Sequence, residues 1–176
     1  GGVVLSNMSD RLKHIVQQMH VPVVTTLMGK GCVPDTYDAH LGMVGMHGSY
    51  AANMAVTKCD LLVAIGARFD DRVTGDVENF APNAQIVHFD IDKVEINKIV
   101  HADIRWSLPL LDEKLAAHET HLADRYEAWR TFVLDMKAAH PFATRDLPDA
   151  VSPQKLFEEV QKWTDDDTIV VTDVGQ

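Results

Sequence analysis

The chain has 176 residues, 46% hydrophobic and 24% charged, which suits a soluble globular domain with one sizeable core and room for a second, incomplete unit. A net charge of −10 argues against a nucleic-acid or anionic-membrane surface, though not against local basic pockets for phosphates. No apolar run approaches the roughly 20 residues of a membrane helix, no secretory leader is visible, and the two cysteines, Cys32 and Cys59, are isolated, so a reduced cytoplasmic setting without a membrane is expected.

Short apolar runs alternate with helical patterns, the signature of an α/β fold with a doubly wound, mostly parallel sheet. Gly2-Val3-Val4-Leu5 reads as the end of a strand. Ser9 is a candidate N-cap for a helix from Asp10 to Met19, with Leu12, Ile15, Val16 and Met19 on one face. Val21 to Thr26 is the next strand, and a helix from Ser49 to Thr57 leads into the strand Leu61–Ile65. The strand Gln85–Phe89 follows, then a short helix near Val94 to Lys98. Residues 108–139 are predicted helical, with Leu111, Leu115, His118 and Leu122 near one stripe and Pro141 as the stop.

Residues 140–151 carry two prolines and no periodicity, as an inter-domain linker does. Ser152-Pro153 then opens a helix to about Trp163, in the N-cap and first-turn roles, and Thr168 to Thr172 reads as a strand. The predicted organisation is a domain over 1–139, a linker over 140–151 and the start of another domain over 152–176. The chain begins Gly1-Gly2 and stops at Gln176 just after that strand, and it is read as an excerpt of a longer protein.

Ligands of open α/β sheets bind beyond the carboxyl ends of the strands. Four glycine-bearing or acidic segments lie there: Thr25 to Gly31, Gly42 to Gly48, Gly66-Ala67-Arg68, and Asp90. Glycines admit a ligand close to the backbone, and the Gly45–Gly48 turn ahead of a helix is a candidate anion site. Arg68 suits a phosphate. Asp90 follows Gly66 by 24 residues, near the spacing at which dinucleotide folds place a ribose-binding acid. These features together read as a dinucleotide crevice. Each has a plainer reading: glycines are common in such turns, GxGxxG is absent, Asp90 fits a cap of the following turn equally well, and Arg68, Asp70, Asp71 and Arg72 fit a solvated cluster.

His118 and His121 are three apart on a predicted helix, a spacing that can share a metal. No third ligand is near, so they are taken as helix-face residues and no metal site is assigned. His47 fits a ligand contact better than a metal site. The methionines from Met28 to Met46 read as pocket or loop filler. No Ser/His/Asp or Cys/His nucleophile arrangement stands out.

Four strings in this order, TTLMGKG at 25–31, LGMVGMHG at 41–48, GARFDDRVTG at 66–75 and HFDID at 88–92, resemble the catalytic subunits of acetolactate (acetohydroxyacid) synthases. The resemblance covers most of residues 1–100 and returns at TDVGQ, 172–176. It implies the central FAD-binding domain of that enzyme followed by the opening of its C-terminal thiamine-diphosphate domain. Thiamine diphosphate with Mg2+ would decarboxylate pyruvate and add the resulting two-carbon unit to a second 2-keto acid, pyruvate or 2-ketobutyrate, in branched-chain amino-acid biosynthesis. FAD would be bound without serving redox. The thiamine-activating glutamate would lie in an N-terminal domain outside these residues, so no catalytic residue falls within the chain and the excerpt alone is expected to be inactive.

The resemblance also implies FAD contacts from Gly1, Gly2, Thr26, Leu27, Met28, Gly45, Met46, His47, Gly66, Ala67, Arg68, Asp70, Arg72, Val73, Asp90 and Ile91. Met46 and Arg72 would also face the substrate, with Arg72 engaging the carboxylate of the second keto acid. Asp71 would line the inhibitor-binding mouth, and Val174, Gly175 and Gln176 would touch thiamine diphosphate. The implied partners are small 2-keto acids, further catalytic subunits in a homodimer or tetramer, and a small regulatory subunit. In one place the chain departs from the family. A Gly-Asp-Ala step at the adenine end of FAD is missing where Ala102-Asp103-Ile104 runs into Arg105 to Leu110. Another thiamine-diphosphate carboligase or decarboxylase, such as glyoxylate carboligase, and a non-catalytic nucleotide-binding module are the competing readings.

Overall fold

Parallel pairing organises the strands. In the computed structural model, which describes residues 1–115, 123–143, 148–165 and 167–172, β1 (Val23–Thr25) pairs with β2 (His40–Met43), and β3 (Leu61–Ile65), β4 (Gln85–Asp90) and β5 (Ile104–Ser107) form a second sheet in that order. The helices are α1 (Gly2–Leu5), α2 (Ser9–Met19), α3 (Tyr50–Lys58), α4 (Asp71–Thr74), α5 (Leu111–Leu115), α6 (Glu127–Ala139) and α7 (Pro153–Gln161). The α/β class with parallel sheets and flanking helices is as expected, but the described strands divide into two sheets. Contacts divide the chain into a unit over 1–141 and a unit over 142–176.

In the first unit, alternation along β3 and β4 serves two cores. Ala64 and Ile86 pack with Phe69, Val100 and Ala102. Phe89 points the other way and packs with Ile15 and Met19 of α2, Leu108, and Leu111 of α5. Phe89, Leu108 and Leu111 are fully buried, each worth roughly 1.5–3 kcal/mol relative to exposure. The i, i+3, i+4, i+7 stripe of α2 is divided between cores: Leu12 and Val16 meet Val3, Cys32 and Val33, while Ile15 and Met19 serve the Phe89 side. A fourth core joins Leu41 of β2 to Ala51, Ala52, Ala55 and Val56 of α3 and Val133 of α6. The run of small residues lets these elements approach closely. Both cysteines are buried free thiols, and burial pushes the Cys59 thiol up to about 11.

Several elements differ from the sequence reading. Gly2–Leu5 is a helical turn, not a strand end. Gly2 N–H is held by the Gly66 carbonyl (2.8 Å), and the Ser6 hydroxyl donates to the Gly2 carbonyl (2.7 Å), which closes the backbone locally despite the β-branched valines. Helix α2 starts at Ser9, with Met8 at the N-cap. Strand β1 is shorter than Val21–Thr26; Pro22 has no N–H for the ladder. No helix forms near Val94–Lys98. Asp90 Oδ1 accepts from Asp92 N–H (2.9 Å), Asp92 Oδ1 from Val94 N–H (2.9 Å) and Asn97 Oδ1 from Ala102 N–H (2.8 Å), so side-chain acceptors outcompete the helical ladder. The helical stretch begins with a 3-10 turn at Leu108–Leu110, and β2 and β5 are strands that the pattern did not reveal.

In the second unit, Ser152 caps α7 by accepting from Lys155 N–H (3.3 Å), with Pro153 in the first turn. Thr168–Thr172 has no ladder partner among the described residues, and Ile169 and Val171 are 88% and 87% exposed. A strand exists only through its neighbours, and the expected strand finds none among the described residues. Among the described residues no helix is long and apolar enough to cross a membrane.

Gly66 has φ +57°, and a Cβ there would lie 2.5 Å from Val3 N. Gly66→Ala is expected to lower the unfolding free energy by at least about 2 kcal/mol, from left-handed strain plus overpacking. Gly31 has φ +85° and open space around it, so Gly31→Ala should cost only about 1 kcal/mol. Urea denaturation of the two variants checks the order.

Candidate functional site

The backbone of residues 1–2 crosses that of Gly66 at the carboxyl end of β3. Gly2 N–H donates to the Gly66 carbonyl (2.8 Å), and Gly66 N–H donates to the Phe89 carbonyl of β4 (2.7 Å). A Cβ on Gly2 would sit 2.9 Å from Gly66 Cα, and one on Gly1 3.2 Å from Met28 Cβ. The glycines at this point are therefore required by chain-to-chain contact, whatever ligand lies above them. The crossing brings four predicted segments together: 1–2, Thr26 to Met28, Gly66 to Arg68, and the end of β4.

A second junction joins the 45–48 turn to α4. A Cβ on Gly45 would collide with the Arg72 carbonyl, and Met46 N–H donates to that carbonyl (2.9 Å). Asn53 of α3 clasps Gly45 from both sides, accepting from its N–H (2.8 Å) and donating to its carbonyl (3.0 Å). Gly48 N–H goes to the Gly45 carbonyl and Ser49 N–H to the Met43 carbonyl, both 2.9 Å. Ser49 caps α3 by accepting from Ala52 N–H (3.1 Å). Of the expected anion site on this turn, the N–H groups of Gly45, Met46, Gly48 and Ser49 are spent internally. Asn53, which sequence reasoning passed over, is the residue that shapes the turn, and nothing in a single sequence marks it.

Side chains, not backbone, face outward here. Leu27, Met28 and Met46 are 67%, 74% and 63% exposed, which is unusual for three large apolar groups among the predicted contacts. Arg72 Nη1 lies 3.6 Å from Met46 Sδ. The exposed Arg68 guanidinium approaches Asp70 Oδ2 at 3.5 Å, while Asp70 Oδ1 caps α4 by accepting from Val73 N–H (3.3 Å). His47, Asp71 and Ile91 are exposed, and Thr26, Ala67 and Val73 are half-buried. Exposed thioethers beside two accessible guanidiniums fit a flat ligand that carries phosphates: apolar faces for a ring system and forked donors for the anion.

Asp90 sits below this surface, with its side chain 7% exposed. Its Oδ1 caps the following turn through Asp92 N–H, so the capping role is present in the fold. Beside it His88 is fully buried, edge-on to Phe69 at 5.0 Å between ring centroids. His88 Nε2 lies 3.5 Å from Asp90 Oδ2, and neither ring nitrogen meets hydrogen-bond geometry. Burial lowers the pKa of His88 and the Asp90 carboxylate pulls it partly back. Asp103 accepts from Ile86 N–H (2.7 Å), tying the approach to β5 onto β4 where the family's Gly-Asp-Ala step was expected. His118, His121, Val174, Gly175 and Gln176 lie outside the described residues.

Residues 1–108 match the family described as thiamine pyrophosphate enzyme, central domain. The chain belongs to that family. It is 42% identical to the "Probable acetolactate synthase large subunit" of Methanocaldococcus jannaschii, over 100% of this chain and 31% of that protein. It is 40% identical to the "Acetolactate synthase large subunit" of Corynebacterium glutamicum, over 100% of this chain and 29% of the relative. With "Acetolactate synthase 1, chloroplastic" of Nicotiana tabacum the identity is 42%, over 97% and 26%. The chain thus spans about a third or less of the length of these relatives. The match to the central domain of thiamine enzymes covers every site segment between Gly1 and Ile91.

Two buried histidines brace this region of the thiamine-enzyme domain. His40 Nδ1 is 3.1 Å from Asp35 Oδ1, and its Nε2 is 3.4 Å from the Thr25 hydroxyl. Burial lowers the His40 pKa; Asp35 opposes that shift, and Lys30 and Lys137 reinforce it. In an unfolded chain each imidazole takes up its proton near pH 6.5, and burial defers that event in the fold. The unfolded chain then binds more protons in the window below 6.5, so stability should be full above pH 6.5 and fall as pH drops through that window. Urea unfolding between pH 8 and 5 is expected to show this slope, and replacing both histidines should flatten it.

Proposed function

We propose that this chain is the central portion of an acetolactate synthase large subunit, and that its strand-end surface binds FAD. The observation that carries the reading is the exposed Leu27, Met28 and Met46 set beside Arg68 and Arg72, in a chain about 40% identical to proteins named acetolactate synthase. The apolar groups would pack on the isoalloxazine ring. Arg68 would pair with the pyrophosphate through its planar fork. Gly1, Gly2, Thr26, Gly45, His47, Gly66, Ala67, Asp70, Val73, Asp90 and Ile91 would complete the pocket. The flavin would be structural, shaping the channel without exchanging electrons.

Arg72 would meet the carboxylate of the second 2-keto acid, with Met46 lining its other side. The 3.6 Å approach of Arg72 Nη1 to Met46 Sδ supports placing both in one channel. Asp71, exposed on the first turn of α4, would line the mouth where inhibitors enter. Thiamine diphosphate with Mg2+ supplies the decarboxylation and carbon–carbon bond-forming chemistry when bound, with Val174, Gly175 and Gln176 at its edge. This reading divides the chain into an FAD domain over 1–139, a linker over 140–151 and the start of the thiamine-diphosphate domain over 152–176. It also places the full-length protein in the cytoplasm as an oligomer of catalytic subunits with a small regulatory partner.

The full-length protein supplied with pyruvate, thiamine diphosphate, Mg2+ and FAD should form acetolactate; a different carboligation product, or none, would remove the reading. Arg72→Gln is expected to lower kcat/KM about 100-fold or more, because a charged partner of the substrate carboxylate is lost. Arg68→Ala should mainly weaken flavin retention, read as flavin absorbance per subunit after gel filtration.

A further inference from the structure

His88, two residues before the end of β4, has a chemistry that the proposed roles leave unused. It is fully buried, both ring nitrogens lack hydrogen-bond partners, and a native core rarely keeps such a group without a reason. An apolar side chain would suit this core, which is lined by Phe69, Ala64 and Ile86. The ring instead directs Nε2 towards Asp90 Oδ2 at 3.5 Å. Burial lowers its pKa, and both Asp90 and the Ala67 backbone raise it. The ring lies beside Asp90 at the end of β4 and against Phe69 of the segment that follows β3, both in strand-end segments that the flavin reading assigns to the nucleotide.

We propose that His88 is a positioning residue of the nucleotide pocket: neutral, it closes the 3.5 Å approach of Nε2 to Asp90 Oδ2 into a hydrogen bond when the ligand binds, and so orients the carboxylate for its remaining lone pairs to accept from a ribose hydroxyl. The inference rests on the flavin reading of the site. Asp90 Oδ1 is already engaged by Asp92 N–H at 2.9 Å, so the orientation of Oδ2 is the free variable. His88 is the described side chain that faces it. A carboxylate oxygen accepts more than one hydrogen bond, so serving His88 leaves Oδ2 capacity for the ligand.

The test is a double-mutant cycle on FAD affinity in the full-length protein, measured by quenching of flavin fluorescence, with His88→Leu, Asp90→Asn and the pair. Each single variant is expected to weaken FAD about tenfold, the order associated with loss of one charge-assisted contact. The double variant should be no weaker than Asp90→Asn alone within about twofold, because His88 acts through that carboxylate. His88→Gln, whose amide N–H stands where Nε2 does, should recover most of the affinity lost in His88→Leu. Additive losses, no rescue by glutamine, or unchanged affinity in His88→Leu would overturn the inference and leave the flavin reading standing. A wild-type protein that fails to bind FAD would overturn both. If His88→Leu does not fold, His88→Ala runs the same cycle.

Discussion

The backbone crossing of Gly2 and Gly66 is the constraint on which the rest of the site depends. One hydrogen bond ties Gly2 to the Gly66 carbonyl at 2.8 Å, and another ties Gly66 to the Phe89 carbonyl at 2.7 Å. Three separate segments are thereby stacked within bonding distance at the carboxyl edge of β3 and β4. A side chain at either glycine would drive them apart. Everything proposed for the site follows from that approach: Met28 beside Gly1, Arg68 two residues on, and Asp90 at the end of β4.

The Gly45–Arg72 junction repeats the device on the other side. Glycine lets one backbone rest on another, and Asn53 holds the turn with two hydrogen bonds. Because those polar groups are satisfied internally, the turn is a rigid platform. Recognition passes to side chains, with thioethers and guanidiniums exposed over a fixed backbone. This separation of rigid support from exposed contacts is what a precise ligand geometry requires.

Two buried histidines form the layer beneath. His40 links Asp35 to Thr25, and His88 abuts Asp90. Both couple the fold to pH in the same direction, while the exposed Asp103 fastens the start of β4 near β5. Among the described residues of the second unit, α7 has no buried residue, and Phe157 and Trp163 are exposed.

What the sequence determined by itself was set by periodicity and by local motifs. The stripe of α2, the apolar runs of β3 and β4, the Ser152 cap, the three glycine-bearing strings and HFDID are legible because they depend on neighbours in the chain. Tertiary structure decided the rest. Strand β2 was hidden by Gly42, whose φ of +101° suits its approach to Ser49. Valines at 3 and 4 entered a helical turn whose start is fixed by the Gly66 carbonyl through Gly2 N–H. Asp90, Asp92 and Asn97 replaced a helix with turns. The purpose of the glycines also changed, from ligand access to backbone crossing, and His88 gained a role only when Asp90 proved to be its neighbour. Such contacts join residues far apart in sequence, and no local pattern records which backbones will meet.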